Sequence, residues 1–221
     1  MTTTLSLATG EAAVYGNRFR QRRLARFLAL VDEVVAVKGS CRILDVGGRH
    51  AYWQALEPLW RDRPCHITLV NLASETVSDR RFASIAGDAC DLARFGDRSF
   101  DLVHSNSVIE HVGRWQDQRR MADEVRRLAP RYFVQTPNFW FPIEPHFRVP
   151  LIHWLPEPWR VGIVMRHACG FYPRARSRDE ARRILDDARL LDCGAMAELF
   201  PDAAIERERF AGFTKSLIAI R

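Results

Sequence analysis

Four short apolar runs in this 221-residue chain each stop on glycine or polar residues: Asp45-Val46-Gly47-Gly48, Asn71-Leu72, Asp88-Ala89 and Ser105-Asn106. Paired glycines after a buried strand let the backbone approach a ligand, because a Cβ would hold the ligand away and glycine takes positive φ cheaply. If the runs are parallel strands, their polar ends converge on one ligand crevice. Two other groups carry acid–base chemistry: Glu110-His111, just past that series, and Glu144-Pro145-His146. Carboxylate and imidazole together can take a proton from an acceptor hydroxyl. Each motif also has a plainer reading. Asp88 suits a turn after Gly87, His111 a helix start bonded to backbone, and Glu144 with His146 a hydrogen-bond clasp.

The elements that must position these residues follow from periodicity. Apolar positions Leu24, Phe27, Leu28, Val31, Val34 and Val35 recur at helical spacing, which predicts a helix over Phe19–Val37 closed by Gly39. Strands are expected at Cys41–Val46, His66–Asn71, Arg81–Ala86, Phe100–His104 and Arg131–Thr136. Between them, Ala51–Trp60 and Trp115–Leu128 read as helices. This alternation predicts an α/β fold, a doubly wound and mostly parallel sheet. Residues 137–176 break the rhythm with prolines and aromatics, and predict a substrate-side insertion after the fifth strand. Its bland alternative is a helical elaboration packed on the sheet edge. A helix over Ser177–Leu190, with Ser177 and Glu180 forming a capping box, and an antiparallel pair, Ile205–Phe210 with Ser216–Ile220, complete the reading. The whole is expected to be one domain over 1–221, with residues 1–39 as an N-terminal helical cap.

Composition excludes several classes. No apolar run reaches the roughly 20 residues needed to span a bilayer. The start, Met1 to Gly10, lacks a basic leader with an apolar core, so a cytoplasmic location is expected. Five scattered cysteines without a Cys-x-x-Cys pair argue against a disulfide framework or a structural zinc site. The net charge of +6 fits nucleic acid or an anionic surface, but the arginines interleave with apolar residues as on solvated helix faces.

Taken in series, these residues resemble the class I S-adenosylmethionine-dependent methyltransferases over most of the chain. Ile43-Leu44-Asp45-Val46-Gly47-Gly48 is similar to the glycine-rich first motif, Ile67-Thr68-Leu69-Val70-Asn71 to the second strand, and Ala86-Gly87-Asp88-Ala89 to the segment that reads adenine. Phe100-Asp101-Leu102-Val103-His104-Ser105-Asn106-Ser107-Val108-Ile109-Glu110-His111-Val112 resembles the fourth motif of small-molecule enzymes such as the ubiquinone-biosynthesis methyltransferases. The resemblance implies a Rossmann-like methyltransferase fold with S-adenosylmethionine as cofactor. It places Asp45, Gly47 and Gly48 at the methionine moiety and Asn71 with Leu72 at the ribose. Asp88 and Ala89 fall at the adenine, and Ser105 with Asn106 beside the cofactor. It implies methyl transfer to a small molecule, at oxygen, with His146, His111, Glu144 and Glu110 as candidate bases.

The chain departs from the pattern where Arg49 and Ala51 replace the second and third glycines, and where Asn71 replaces an acid. Ser107 replaces the first glutamate of a set that binds a divalent metal in the ubiquinone enzymes, so no metal is expected. Rival readings are a nucleic-acid methyltransferase, a nicotinamide-dependent reductase and a non-catalytic binding protein. The first lacks its Asn/Asp-Pro-Pro-aromatic motif after the fourth strand, and the second its Gly-x-Gly-x-x-Gly. His153, Trp154 and Trp159, near Arg160, Arg166 and Arg174, suit an internal substrate pocket or a homodimer contact ahead of a membrane surface, and the partner expected is a small-molecule acceptor.

Overall fold

The computed structural model describes residues 18–221, so the first seventeen residues of the expected N-terminal cap, with the Met1–Gly10 leader reading, lie outside the described residues. The chain forms two compact units, one built from the residues up to Asn106 with Glu124–Phe133, the other from Ser107–Asp123 with Val134–Arg221. Seven strands form one sheet in the order 3-2-1-4-5-7-6, which is the expected doubly wound arrangement.

In the first unit, helix α1 (Arg18–Lys38) buries Leu24, Phe27, Leu28, Val31 and Val34, the stripe its sequence spacing predicts. Gly39 ends it at φ +78°, its N–H donating to the Val35 carbonyl at 2.8 Å. Strand β1 (Cys41–Val46) is buried at every position but Arg42, the near-continuous pattern of a parallel strand covered on both faces. It pairs in parallel with β2 (Cys65–Asn71) on one side and β4 (Leu102–Asn106) on the other, and β2 pairs with β3 (Phe82–Ala86).

Two boundaries in this unit differ from expectation, and in the other unit the helix expected over Ser177–Leu190 ends four residues early, at Asp186. The helix expected over Ala51–Trp60 is split into α2 (His50–Ala55) and α3 (Glu57–Trp60). Pro58 has no N–H to reach back one turn, and its ring would crowd that carbonyl. Strand β4 starts two residues later than expected, so Ser105 and Asn106 are its last residues rather than the loop after it.

Helix α4 (Trp115–Leu128) matches its expected bounds and runs from one unit into the other, as does β5 (Arg131–Pro137). The remainder of the second unit holds α5 (Glu157–Arg166), α6 (Arg178–Asp186), α7 (Cys193–Leu199), β6 (Ala204–Phe210) and β7 (Phe213–Ile220). Strands β6 and β7 form the expected antiparallel pair. Ala211 and Gly212, both at positive φ, make the two-residue turn that suits strand twist. Ser177 caps α6 by accepting from the Glu180 N–H at 3.2 Å, while the Glu180 carboxylate reaches back to the Arg176 N–H at 2.7 Å. That is the capping box shifted by one residue. Helix α7 was not anticipated; its cap is Asp192, which accepts from the Ala195 N–H at 2.9 Å. The insertion has its own small core of Phe147, Ile152, Val164, Cys169 and Ala175, packed with Ala181 of α6. It is therefore a folded element and not a bare loop. All five cysteines are free. No described helix is long and apolar enough to cross a membrane.

Candidate functional site

The four polar strand ends lie in the first unit, side by side and level. Val46 is in register with Val70 on one side and Ser105 on the other, and Asn71 is in register with Ala86. The tips of β3, β2, β1 and β4 are thus adjacent, which is the geometry of a ligand crevice at the carboxyl edge of a parallel sheet.

At the β1 tip the chain turns at Gly47, whose φ of +74° favours glycine. Gly48 is needed for a different reason from the one expected. A Cβ there would lie 1.9 Å from Asp45 Oδ2, so the glycine makes room for the acid rather than only for a ligand. The Asp45 carboxylate is buried and fully used by the protein. Its Oδ2 accepts from Trp53 Nε1 at 2.7 Å and its Oδ1 lies 2.7 Å from His104 Nδ1. His104 in turn is stacked between Tyr52 and Phe133. Asp45 therefore braces the turn from below and offers no open oxygen to a ligand.

Asn71 donates its amide to the Gly48 carbonyl at 2.7 Å, tying the β2 tip to the β1 turn. Beyond it the Leu72 side chain is 86% exposed. Glu75, which no motif marks, accepts from the His50 N–H at 2.7 Å and lies 3.7 Å from Arg49. It supplies the cap that α2 lacks, and it pairs with the arginine that replaces a glycine. Asp88 is exposed and holds its own turn by accepting from the Cys90 N–H at 2.9 Å, with Ala89 beside it half-buried. Ser105 is fully buried, and its Oγ has no hydrogen-bond partner. The Asn106 amide oxygen accepts from Arg23 of α1 at 2.6 Å.

The acid–base residues gather in the second unit. Glu110 and His111 lie on a short 3-10 turn four residues past Asn106. Glu110 is completely buried; one carboxylate oxygen accepts from Thr136 Oγ1 at 2.9 Å and the other has no partner. Burial drives its pKa upward, against the lowering pull of His111, Thr136 and His146. The His111 ring stands perpendicular to that of His146, centroids 4.7 Å apart, with its Nδ1 3.0 Å from the Asp187 carbonyl. His146 Nδ1 lies 2.7 Å from Glu144 Oε1, and the other Glu144 oxygen accepts from the His146 and Phe147 N–H groups. Glu144 is thus both the clasp of the plain reading and the orienting partner of a histidine. Burial works to lower the His146 pKa, but Glu144, helped by Glu110 and Asp187, outweighs it and the net shift is upward. Gly170 holds this loop closely: a Cβ on it would lie 2.0 Å from the His146 carbonyl. One ligand atom from each of Glu110, His111 and His146 falls within 4.8 Å of the other two, a spacing open to proton relay and to a divalent cation alike.

A cavity of about 210 Å³ lies behind Glu144, walled by Phe139, Phe147, Ile152, His153, Arg160 and Arg189 among others. Of these, Phe139, Phe147, His153 and Arg160 are insertion features that the sequence marks, without placing them together in one cavity.

Residues 44–131 match the family described as the methyltransferase domain. Two uncharacterized proteins of Mycobacterium tuberculosis are 35% identical over 54 residues, which cover 24% of this chain and 18% of each of theirs. The match thus spans under a fifth of those relatives' length. Among solved structures, a Rhodobacter sphaeroides protein assigned to the Zn-dependent alcohol dehydrogenases superposes with a TM-score of 0.53 at 9% identity, covering 86% of this chain and 87% of that one. The MccD protein gives 0.50 at 9% identity, with 87% and 94% covered. At such identity the structures establish the shared Rossmann-like fold and no more. The family match covers 44–131, from within β1 to the first residue of β5.

Proposed function

We propose that this chain, whose residues 44–131 match the methyltransferase domain family, is a class I S-adenosylmethionine-dependent methyltransferase that transfers a methyl group to the oxygen of a small-molecule acceptor. The observation that carries the reading is the level row of four strand tips, polar in turn, in the stretch that matches the family. Those tips fit a nucleoside. Gly47 and Gly48 leave the turn without side chains, Asp88 presents a carboxylate at the surface, and Ser105 Oγ waits unpaired at the β4 tip. In this reading Asn71, Leu72, Asp88, Ala89, Ser105 and Asn106 hold the cofactor with the Gly47-Gly48 backbone, and Asp45 positions that backbone from beneath.

The bound cofactor supplies an electrophilic methyl on a sulfonium, ready for in-line displacement. What the chain must do is align an acceptor oxygen, exclude water and take the proton that the oxygen loses as the C–O bond forms. His146 takes that proton. Glu144 fixes its Nδ1 and stabilises the imidazolium that forms, while Glu110 and His111 flank the ring. No metal enters this scheme, so transfer that survives exhaustive chelation supports it, and activity restored by a divalent cation would turn Glu110, His111 and His146 into ligands.

A second reading, binding without catalysis, is favoured by Arg49 and Glu75 at the turn where the family has glycines. Calorimetry with S-adenosylmethionine and a transfer assay distinguish the two, since that reading predicts binding without turnover. Asp88→Ala is expected to weaken cofactor binding by about 1–3 kcal/mol by stranding a buried donor of the ligand. Unchanged affinity would show that the adenine lies elsewhere.

A further inference from the structure

The insertion cavity carries two polar atoms that the protein leaves unsatisfied. Arg160 Nε is buried without a hydrogen-bond acceptor, and no carboxylate among the described residues pairs with its guanidinium. His153 Nδ1 is likewise buried and without a partner, while its Nε2 lies 2.8 Å from the Phe139 carbonyl. Nε2 is then the protonated nitrogen, which leaves Nδ1 as an unused acceptor on a residue of the cavity wall. Burial, helped by Arg160, lowers the His153 pKa against the raising pull of the Phe139 and Phe141 carbonyls and Glu144. The other charges of the wall are already committed. Glu144 is held by His146 and Phe147, and Arg189 pairs with Asp186 at 2.9 Å. Among the described residues of the wall, Arg160 is therefore the charge without a partner. Its buried Nε left without an acceptor is costly, and a planar carboxylate is the group that matches its fork of donors. The remaining walls, Phe139, Phe147 and Ile152, are apolar.

We propose that this cavity binds a small carboxylic acid with an apolar body, its carboxylate on Arg160 and a hydrogen-bond donor on His153 Nδ1. As the acceptor pocket it rests on the reading above, since Glu144 forms part of its wall and also orients His146; as a carboxylate site it stands without it. Most pockets combine apolar walls with a few placed polar groups in this manner.

The test is calorimetry on the full chain with S-adenosylhomocysteine present, using 4-hydroxyphenylacetate as probe and its neutral amide as control. The expected result is binding of the acid, at least tenfold weaker binding of the amide, and at least tenfold loss for the acid in Arg160→Gln. Arg160→Lys, which keeps the charge but not the fork, should fall between, and near-UV circular dichroism on both variants verifies folding. Equal binding of acid and amide, retention by a folded Arg160→Gln, or no binding of either probe would overturn the inference. S-adenosylhomocysteine affinity, measured in the same samples without probe, reports on the methyltransferase reading separately. Lost probe binding with intact nucleoside binding sinks only the carboxylate site, and the reverse sinks only the methyltransferase reading.

Discussion

The strand-tip region and the insertion treat their polar groups in opposite ways. At the tips, the protein consumes most of its own hydrogen-bonding capacity: Asp45 on Trp53 and His104, Asn71 on Gly48, Glu75 on the His50 N–H, and Asn106 on Arg23. Ser105 Oγ is the buried exception. In the insertion unit the unsatisfied atoms accumulate, with Glu110 Oε1, His153 Nδ1 and Arg160 Nε all buried without partners. A preassembled backbone cradle needs rigidity, and internal hydrogen bonds provide it. A pocket that recognises or deprotonates an acceptor instead needs groups held in reserve, at a cost in stability that ligand binding relieves.

This contrast predicts that damage in the insertion unit shows in turnover, and damage beneath the tips shows in folding. His146→Ala should lower the methyl-transfer rate by about 10²–10⁴-fold while leaving cofactor affinity unchanged. A loss below tenfold in steady-state assays would remove His146 from the reaction. Asp45→Ala strands the Trp53 and His104 donors together, and should cost roughly 2–5 kcal/mol in urea unfolding. A cost under about 1 kcal/mol would mean the brace is not structural.

The pH profile sharpens the comparison further. His146 acts as a base only when neutral, and the groups facing it are Glu144, Glu110, Asp187 and His111. Its folded pKa is raised, so the rate should climb with pH through a midpoint above the ordinary histidine value. Glu144→Gln removes the main raising influence and should move that midpoint toward acid, with a lower maximal rate. A profile that ignores Glu144→Gln would separate the clasp from the chemistry. The smallest effect is expected at Arg49→Ala, within about 0.5 kcal/mol of wild-type stability, because the arginine is 65% exposed and its ion pair with Glu75 is long at 3.7 Å.

How far the sequence could be read follows the same division. The strand tips were legible because each is local: an apolar run, then Asp45 with two glycines, Asn71, Asp88, or Ser105 with Asn106, in an order that parallel strands bring together. Trp53, Glu75 and His104 were missed as supports, since nothing in their spacing from Asp45 or His50 reveals a hydrogen bond made across elements. Glu144 and His146 were legible as a pair across one proline, but their approach to Glu110 and His111 depends on how the insertion folds back. His153 facing one cavity with Arg160 is a purely tertiary fact. Helix α7 escaped for another reason. Seven residues with two small ones at the start carry too little periodicity to outweigh a loop reading.

Hydrogen–deuterium exchange with and without S-adenosylhomocysteine tests the strand-tip claim most directly. Protection is predicted in peptides covering Gly47-Gly48, Asn71-Leu72, Asp88-Ala89 and Ser105-Asn106 together. Saturating nucleoside that leaves all four unprotected, or protects only segments outside them, would contradict the account.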